Sequence, residues 1–214
     1  MRLRAALALL TVVLLLAACS VTQGSGQLAT ESRQVSGFTE VELTGFGELT
    51  IEQTGTESLT ISAEDNLLPR LTSEVSGDTL VLGEEPNTTI RTTKPITYSL
   101  TVKDLTGLAI SGSGNISVPK LMATALSTKI SGSGTITVNG TAVDQDLEIS
   151  GSGRYQAEQL TSKTVKAQIS GSGTANVLAT DMLDVKISGS GSLTYTGNPQ
   201  VTQEISGSGK LIKK

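Results

Sequence analysis

The 214-residue sequence has no histidine and no tryptophan, a single cysteine, and only three tyrosines and two phenylalanines. Without histidine, the usual base for activating a serine or cysteine nucleophile is missing, and so is the commonest nitrogen ligand of zinc. One cysteine excludes an intramolecular disulfide, so stability has to come from packing. So few aromatic rings leave little from which to build a sugar-stacking platform or an aromatic-lined pocket. The core is therefore expected to be Val, Ile, Leu and Ala. Basic runs are also absent. The 16 Lys and Arg are outnumbered by 20 Asp and Glu, for a net charge of −4, which argues against a nucleic-acid partner. After residue 19 no apolar run is long enough to span a bilayer.

What is present begins at the N-terminus. Arg2 and Arg4 precede the apolar stretch 5–18, which only Thr11 interrupts. That layout is a signal peptide over residues 1–18. The sequence Leu16-Ala17-Ala18-Cys19 resembles the bacterial lipobox, which implies cleavage before Cys19 and lipid attachment to its thiol. The membrane is then a partner through the lipid on Cys19. Removing Arg2 and Arg4 leaves 14 basic against 20 acidic residues, a net charge of −6. Ser20 follows the cysteine, and by resemblance to sorted lipoproteins the lack of Asp there favours the outer membrane if the cell is Gram-negative. Residues 19–36 are polar and aperiodic, and read as the lipidated N-terminus and a flexible tether.

From Phe38 the pattern alternates with period two. FTEVELTG, GELTIEQ, SLTISAE, LTSEVSG, DTLVLGE and ITYSLTV each predict a short strand. Residues 37–104 thus form an N-terminal β-rich part. The LLPR segment around Pro69 predicts an irregular or single helical turn, and residues 84–95 an exposed loop.

Residues 105–214 are a repeat array. The pentapeptide ISGSG starts at Ile110, Ile130, Ile149, Ile169, Ile187 and Ile205, at intervals of 18 to 20 residues. Within each lap every second residue is apolar or glycine, as in Ile130, Gly132, Gly134, Ile136, Val138. The intervening residues are Ser, Thr, Asn, Lys or Gln. Leu126, Val165, Leu183 and Val201 extend the inward face in most laps. Period two within a lap and a fixed interval between laps predict a parallel β-solenoid, an all-β fold of about 18–20 residues per coil. At about 4.8 Å per coil the six units make a spine of roughly 24 Å. The glycines belong where the coil bends: Gly112, Gly114, Gly132, Gly134, Gly151, Gly153, Gly171, Gly173, Gly189, Gly191, Gly207 and Gly209. The outward serines Ser111, Ser113, Ser131, Ser133, Ser150, Ser152, Ser170, Ser172, Ser188 and Ser190 are expected to stack into hydroxyl ladders that hydrogen-bond along the axis. They are the candidate binding face. Lys210, Lys213 and Lys214 place charge at the C-terminal end, either to discourage end-to-end pairing or as a frayed basic tail.

The stretches VSGFTEVELTGFGELTIEQ and YSLTVKDLTGLAISGSGNISV, with the reiterated ISGSG, resemble the bacterial auto-transporter adhesin, head GIN domain family, formerly a domain of unknown function. The resemblance covers about residues 35–212. It implies a β-helix of short strands on an exported or lipid-anchored protein, and brings no catalytic residues.

Some β-solenoids cleave polysaccharides with clustered carboxylates. Here Asp144, Asp146 and Glu148 alternate and share a face, but no acidic group recurs at their place one lap away, so a solvated strand face is the plainer reading. The ISGSG unit lacks the Asp of calcium-binding nonapeptide repeats. Neither a catalytic residue, a metal site nor a cofactor is expected. The sequence points to a cell-envelope adhesion or binding module without enzymatic activity, whose ligand is a glycan or an envelope or surface protein. A β-helix carbohydrate-active enzyme and a periplasm-facing structural or envelope-stress protein are the alternatives.

Overall fold

The computed structural model describes residues 20–214, all β apart from a single 3-10 turn at Leu68–Arg70. Cys19 and residues 1–18, read above as a signal peptide, lie outside the described residues. In chain order the strands are β1 (Ser20–Gln23), β2 (Leu28–Arg33), β3 (Glu40–Leu43), β4 (Glu48–Gln53), β5 (Ser58–Glu64), β6 (Leu71–Ser76), β7 (Thr79–Glu84), β8 (Thr88–Arg91) and β9 (Thr97–Val102). They continue with β10 (Gly107–Gly112), β11 (Asn115–Gly132), β12 (Thr135–Gly151), β13 (Arg154–Gly171), β14 (Thr174–Gly189), β15 (Ser192–Thr196), β16 (Gln200–Gly207) and β17 (Lys210–Lys213). No helix among the described residues is long and apolar enough to cross a membrane.

The chain winds as a parallel β-solenoid. Register follows the pentapeptides: Ile110 pairs with Ile130, Ile130 with Ile149, Ile149 with Ile169, Ile169 with Ile187, and Ile187 with Ile205. The segment leading into each ISG forms a first wall and the segment after the second glycine a second wall. A short return across the third side carries register irregularities between Val118 and Leu121 and between Ala157 and Thr161. Each wall buries one face of its strands, so the isoleucine row is 1% exposed or less from Ile110 to Ile187 and the rows beside it are buried as well. Shedding water from these contiguous apolar rows is what stacking achieves and one coil alone cannot.

The stack does not begin at residue 105. β3 pairs in parallel with β10, and β4 with β11. Leu43-Thr44-Gly45-Phe46-Gly47 therefore occupies the place of an ISGSG unit, with Leu43 under Ile110. A further level lies beneath it out of chain order, because β7 pairs with β3 and β9 with β4. Below that the hand of pairing changes. β6 runs antiparallel to β7, β5 antiparallel to β9, and β2 antiparallel to β5. The 3-10 turn closes the core here with buried Leu67 and Leu68. Arg33 fastens it, its guanidinium donating to the carbonyls of Leu68 at 2.8 Å and Leu71 at 2.6 Å. The LLPR segment is thus a helical turn serving as a lid.

Two expectations for the N-terminal part are corrected. Residues 20–36, read as a tether, carry β1 and β2, and the loop 84–95 carries β8, parallel to β1. Both were hidden because their strands are polar on the solvent side and offer little apolar alternation. Their anchor is Glu64, whose side chain is fully buried. Its carboxylate accepts from the Gly26 amide at 2.6 Å, the Thr93 amide at 2.9 Å and the Thr93 hydroxyl at 2.6 Å. The Thr93 hydroxyl, followed by these amides against the opposing cost of burial, holds the Glu64 carboxyl below its ordinary value. A depressed carboxylate stabilises the fold above its unfolded pKa and loses that contribution as pH falls through the folded one. Hydrogen exchange of residues 21–26 should therefore accelerate on acidification below the ordinary glutamate range while residues 147–150 stay protected. Glu64→Gln should show the fast exchange already at neutral pH.

The core of the third lap departs from the apolar pattern. Gln145 sits in the row of Leu126, Val165 and Leu183. Its side chain donates to Ser162 Oγ at 2.6 Å and accepts from the Tyr155 hydroxyl at 2.8 Å, all three being buried. Burial pushes the Tyr155 phenol above its ordinary value, so it stays neutral. The frayed-tail reading of the C-terminus is also corrected: β17 pairs with β15, and Lys213 donates to Asn198 at 3.1 Å.

Candidate functional site: the outer faces of the solenoid

The ISGSG unit forms the corner between the two walls, and its two glycines serve different ends. The first turns the chain: Gly151 has φ +117°, which a side chain disfavours, and a Cβ there would lie 2.7 Å from the carbonyl oxygen of Gly132 one coil earlier. The second fills the inside of the bend. A Cβ on Gly134 would lie 2.6 Å from Ile110 Cγ2 and 2.7 Å from the Gly114 oxygen. The corner is tied between coils through the backbone, Ser133 N donating to Gly112 O, Ser152 N to Gly132 O and Ser172 N to Gly151 O, each at 2.9 Å.

The ten candidate serines, Ser111 through Ser190, all stand on the outside of this corner, Ser170 half-buried and the others exposed. They form a ridge, and among the described residues their hydroxyls do not bond one another. The expected axial bonding is corrected: like hydroxyls in like rotamers repeat at the coil spacing of about 4.8 Å, beyond hydrogen-bond length unless one side chain turns toward the next. Ser111 instead donates to Glu42 at 2.7 Å.

The first wall is charged. Reading along the axis just before the isoleucines gives Glu42, Ala109, Lys129, Glu148, Gln168, Lys186, Glu204. Two residues earlier the row is Glu40, Gly107, Ser127, Asp146, Lys166, Asp184, Thr202. Opposite signs meet on neighbouring strands, and Lys186 reaches Glu204 at 3.1 Å. Asp144, Asp146 and Glu148 do share a face, and all three are exposed. Asp146 and Glu148 have a lysine on an adjacent strand, as expected of a solvated, self-compensated surface. A shallow groove of about 460 Å³ includes Asp144, Asp146 and Lys166. Among the described residues no cluster of three or more acidic, histidine or cysteine side chains could hold a metal.

The second wall is different in kind. One outward row crosses ten strands as Ser32, Thr60, Ser99, Thr50, Ser117, Thr137, Gln156, Asn176, Thr194 and Ile212, with no charge in it. The row beside it reads Thr30, Ser62, Thr97, Glu48, Asn115, Thr135, Arg154, Thr174, Ser192 and Lys210. A shallow depression of about 370 Å³ lies between Glu48, Thr50, Asn115, Ser117, Thr135 and Thr137. Sequence reasoning named by number only the serines of the corner; this wall carries the Thr, Asn and Gln of the same outward set. The available signal was the hydroxyl or amide residue recurring seven positions after the first five ISGSG isoleucines, as Ser117, Thr137, Gln156, Asn176 and Thr194.

Three solved structures share this fold. A "putative adhesin" from Bacteroides fragilis superposes with a TM-score of 0.74 at 23% identity, over 90% of this chain and 100% of its own. A "putative lipid binding protein" from Parabacteroides distasonis gives 0.60 at 24%, over 91% and 100%. A "putative adhesin" from the same species gives 0.59 at 23%, over 91% and 100%. No curated protein is measurably similar to the chain. The family model described as "Putative auto-transporter adhesin, head GIN domain" matches residues 37–199, and the chain belongs to that family.

Proposed function

We propose that the protein is an exported, lipid-anchored binding module of the cell envelope, without enzymatic activity, that holds an extended polymer against its second wall. The family name points to a surface or envelope location. The observation that carries the reading is the uncharged hydroxyl and amide row running the length of that wall. Such a row offers one weak polar contact per strand at a fixed spacing, which suits a repeating ligand such as a glycan or an extended chain of a surface protein, and adds by multivalency. The first wall, with its alternating charges, suits neither a neutral glycan nor general acid–base work, since Asp146 and Glu148 each have a lysine on an adjacent strand.

The double variant Thr135→Glu/Thr137→Glu should fold normally and lose at least about tenfold in affinity for any glycan or envelope protein retained by the wild type. Asp146→Asn should bind like the wild type. Surface plasmon resonance against immobilised envelope polysaccharides measures both. Retention of binding by the threonine variant would remove the second wall from consideration. Polysaccharide turnover abolished by Asp144→Asn or Asp146→Asn would establish the β-helix enzyme instead.

A further inference from the structure

We infer that the folded body is held directly against the lipid bilayer by its N-terminal end, with the coil of β16 and β17 farther from the membrane than the coils before it, and that no flexible tether separates the two. The inference rests on the proposed lipidation of Cys19 and deepens it.

A 17-residue tether over positions 20–36 would allow the body to wander about 60 Å from its anchor at full stretch. The structure removes that freedom. Residue 20, the first after the cysteine, already pairs with Thr88, and Val21, Thr22 and Gln23 pair with Thr89, Ile90 and Arg91. The Gly24 amide donates to the Arg91 carbonyl at 2.8 Å, and Asn66 donates to the Gln23 carbonyl at 2.8 Å. Glu64 then clamps Gly26. An anchor at residue 19 has one residue of slack at most.

The place of that seam fixes the orientation. β8 lies in the segment linking β7 to β9, the lowest parallel level of the stack. There it stands at the corner that LTGFG and the ISGSG units occupy in the levels above, since Thr44 and Glu48 bond to the carbonyls of Leu82 and Ile96. The anchor is therefore at the foot of the serine corner. Val21, 56% exposed, faces outward at this foot and offers the bilayer an apolar side chain. From β9 the second wall climbs through β4, β11, β12, β13, β14 and β15 to β17. Those seven strand intervals, at about 4.8 Å each, put the coil of β17 roughly 34 Å above the level of β9, below which β5 and β2 continue the wall.

The test uses the chain from Cys19 to Lys214, coupled through its one cysteine to maleimide-bearing lipid in phosphatidylcholine vesicles. A fluorescent amino acid replaces either Thr89 or Lys210, both exposed, and the vesicles carry a headgroup quencher. The expected result is several-fold quenching at position 89 with none at position 210, and amide exchange of residues 21–23 at least about a hundredfold slower than in an unstructured chain. Equal quenching at both positions would overturn the orientation, because the solenoid would be lying on a wall. Absence of quenching at both, with fast exchange in 21–23, would restore the tether. Labelled palmitate supplied to cells tests the reading beneath it: incorporation that Cys19→Ala abolishes supports it, and no incorporation sinks the anchoring whatever the vesicles show.

Discussion

Gly151→Ala is expected to cost at least about 3 kcal/mol, while Ser152→Ala next to it changes stability by less than about 0.5 kcal/mol. The two residues are adjacent in the same pentapeptide, and one methyl or one hydroxyl is all that differs. Gly151 has φ +117°, so alanine there is strained before any contact is counted. Its new Cβ also meets the carbonyl of Gly132 at 2.7 Å, and that carbonyl is committed to the amide of Ser152. Relief by moving the corner outward would break the hydrogen bond that ties it to the coil before. Ser152 points to water and its hydroxyl makes no bond that alanine would lose. Because solenoid stability is a sum over neighbouring coils, the damage should centre on residues 130–171. Urea unfolding followed by circular dichroism reads the stability difference, and exchange mass spectrometry reads its location. A Gly151→Ala protein as stable as the wild type would mean that the corner is looser than the stacked geometry allows.

The second large effect is in the core of the third lap. Gln145→Leu restores the apolar row of Leu126, Val165 and Leu183, so pattern alone predicts stabilisation. The expected result is a loss of about 2 kcal/mol. Leucine takes from the buried Tyr155 and Ser162 hydroxyls their Gln145 partner, and an orphaned buried donor costs more than the bond it made. The triple variant Gln145→Leu/Tyr155→Phe/Ser162→Ala removes every member of the network and should return to within about 1 kcal/mol of the wild type. The same urea titrations give the coupling. If Gln145→Leu proves neutral, the three groups do not act as a unit.

The solenoid was legible in the sequence because its register is written there twice, as a two-residue period within each lap and an 18-to-20-residue period between laps. The observed pairing of Ile130 with Ile149 and Ile169 follows the spacing of the pentapeptides. Where the repeat degenerates, legibility fades. LTGFG has the glycines of a corner but not its serines, and the placement of β7 and β9 beneath β3 and β4 depends on contacts between distant segments that no local period records. β1 and β2 escaped because none of residues 21–23 and 28–33 is buried, so no apolar alternation marks them. The candidate face was half legible. That the serines point outward follows from period two. That they form a corner while the hydroxyl rows of Thr135, Thr137 and Thr194 form a flat wall depends on where the coil bends, and glycine marks a bend without giving its angle. The alternating charges of the first wall become a pattern only once Lys129, Glu148 and Lys166 are set on neighbouring strands.

The out-of-order foot has a consequence for how such a module can change over evolutionary time. Everything that meets the lid, the Glu64 clamp and β1 lies before residue 105, and the laps above repeat one contact with the lap below. Duplicating or deleting a lap in the middle of the stack changes the height by one strand spacing, about 4.8 Å, and leaves the foot untouched. The molecule is in this respect a ruler with a fixed base and interchangeable graduations, and lap number is the variable through which selection could set how far its outermost coil reaches.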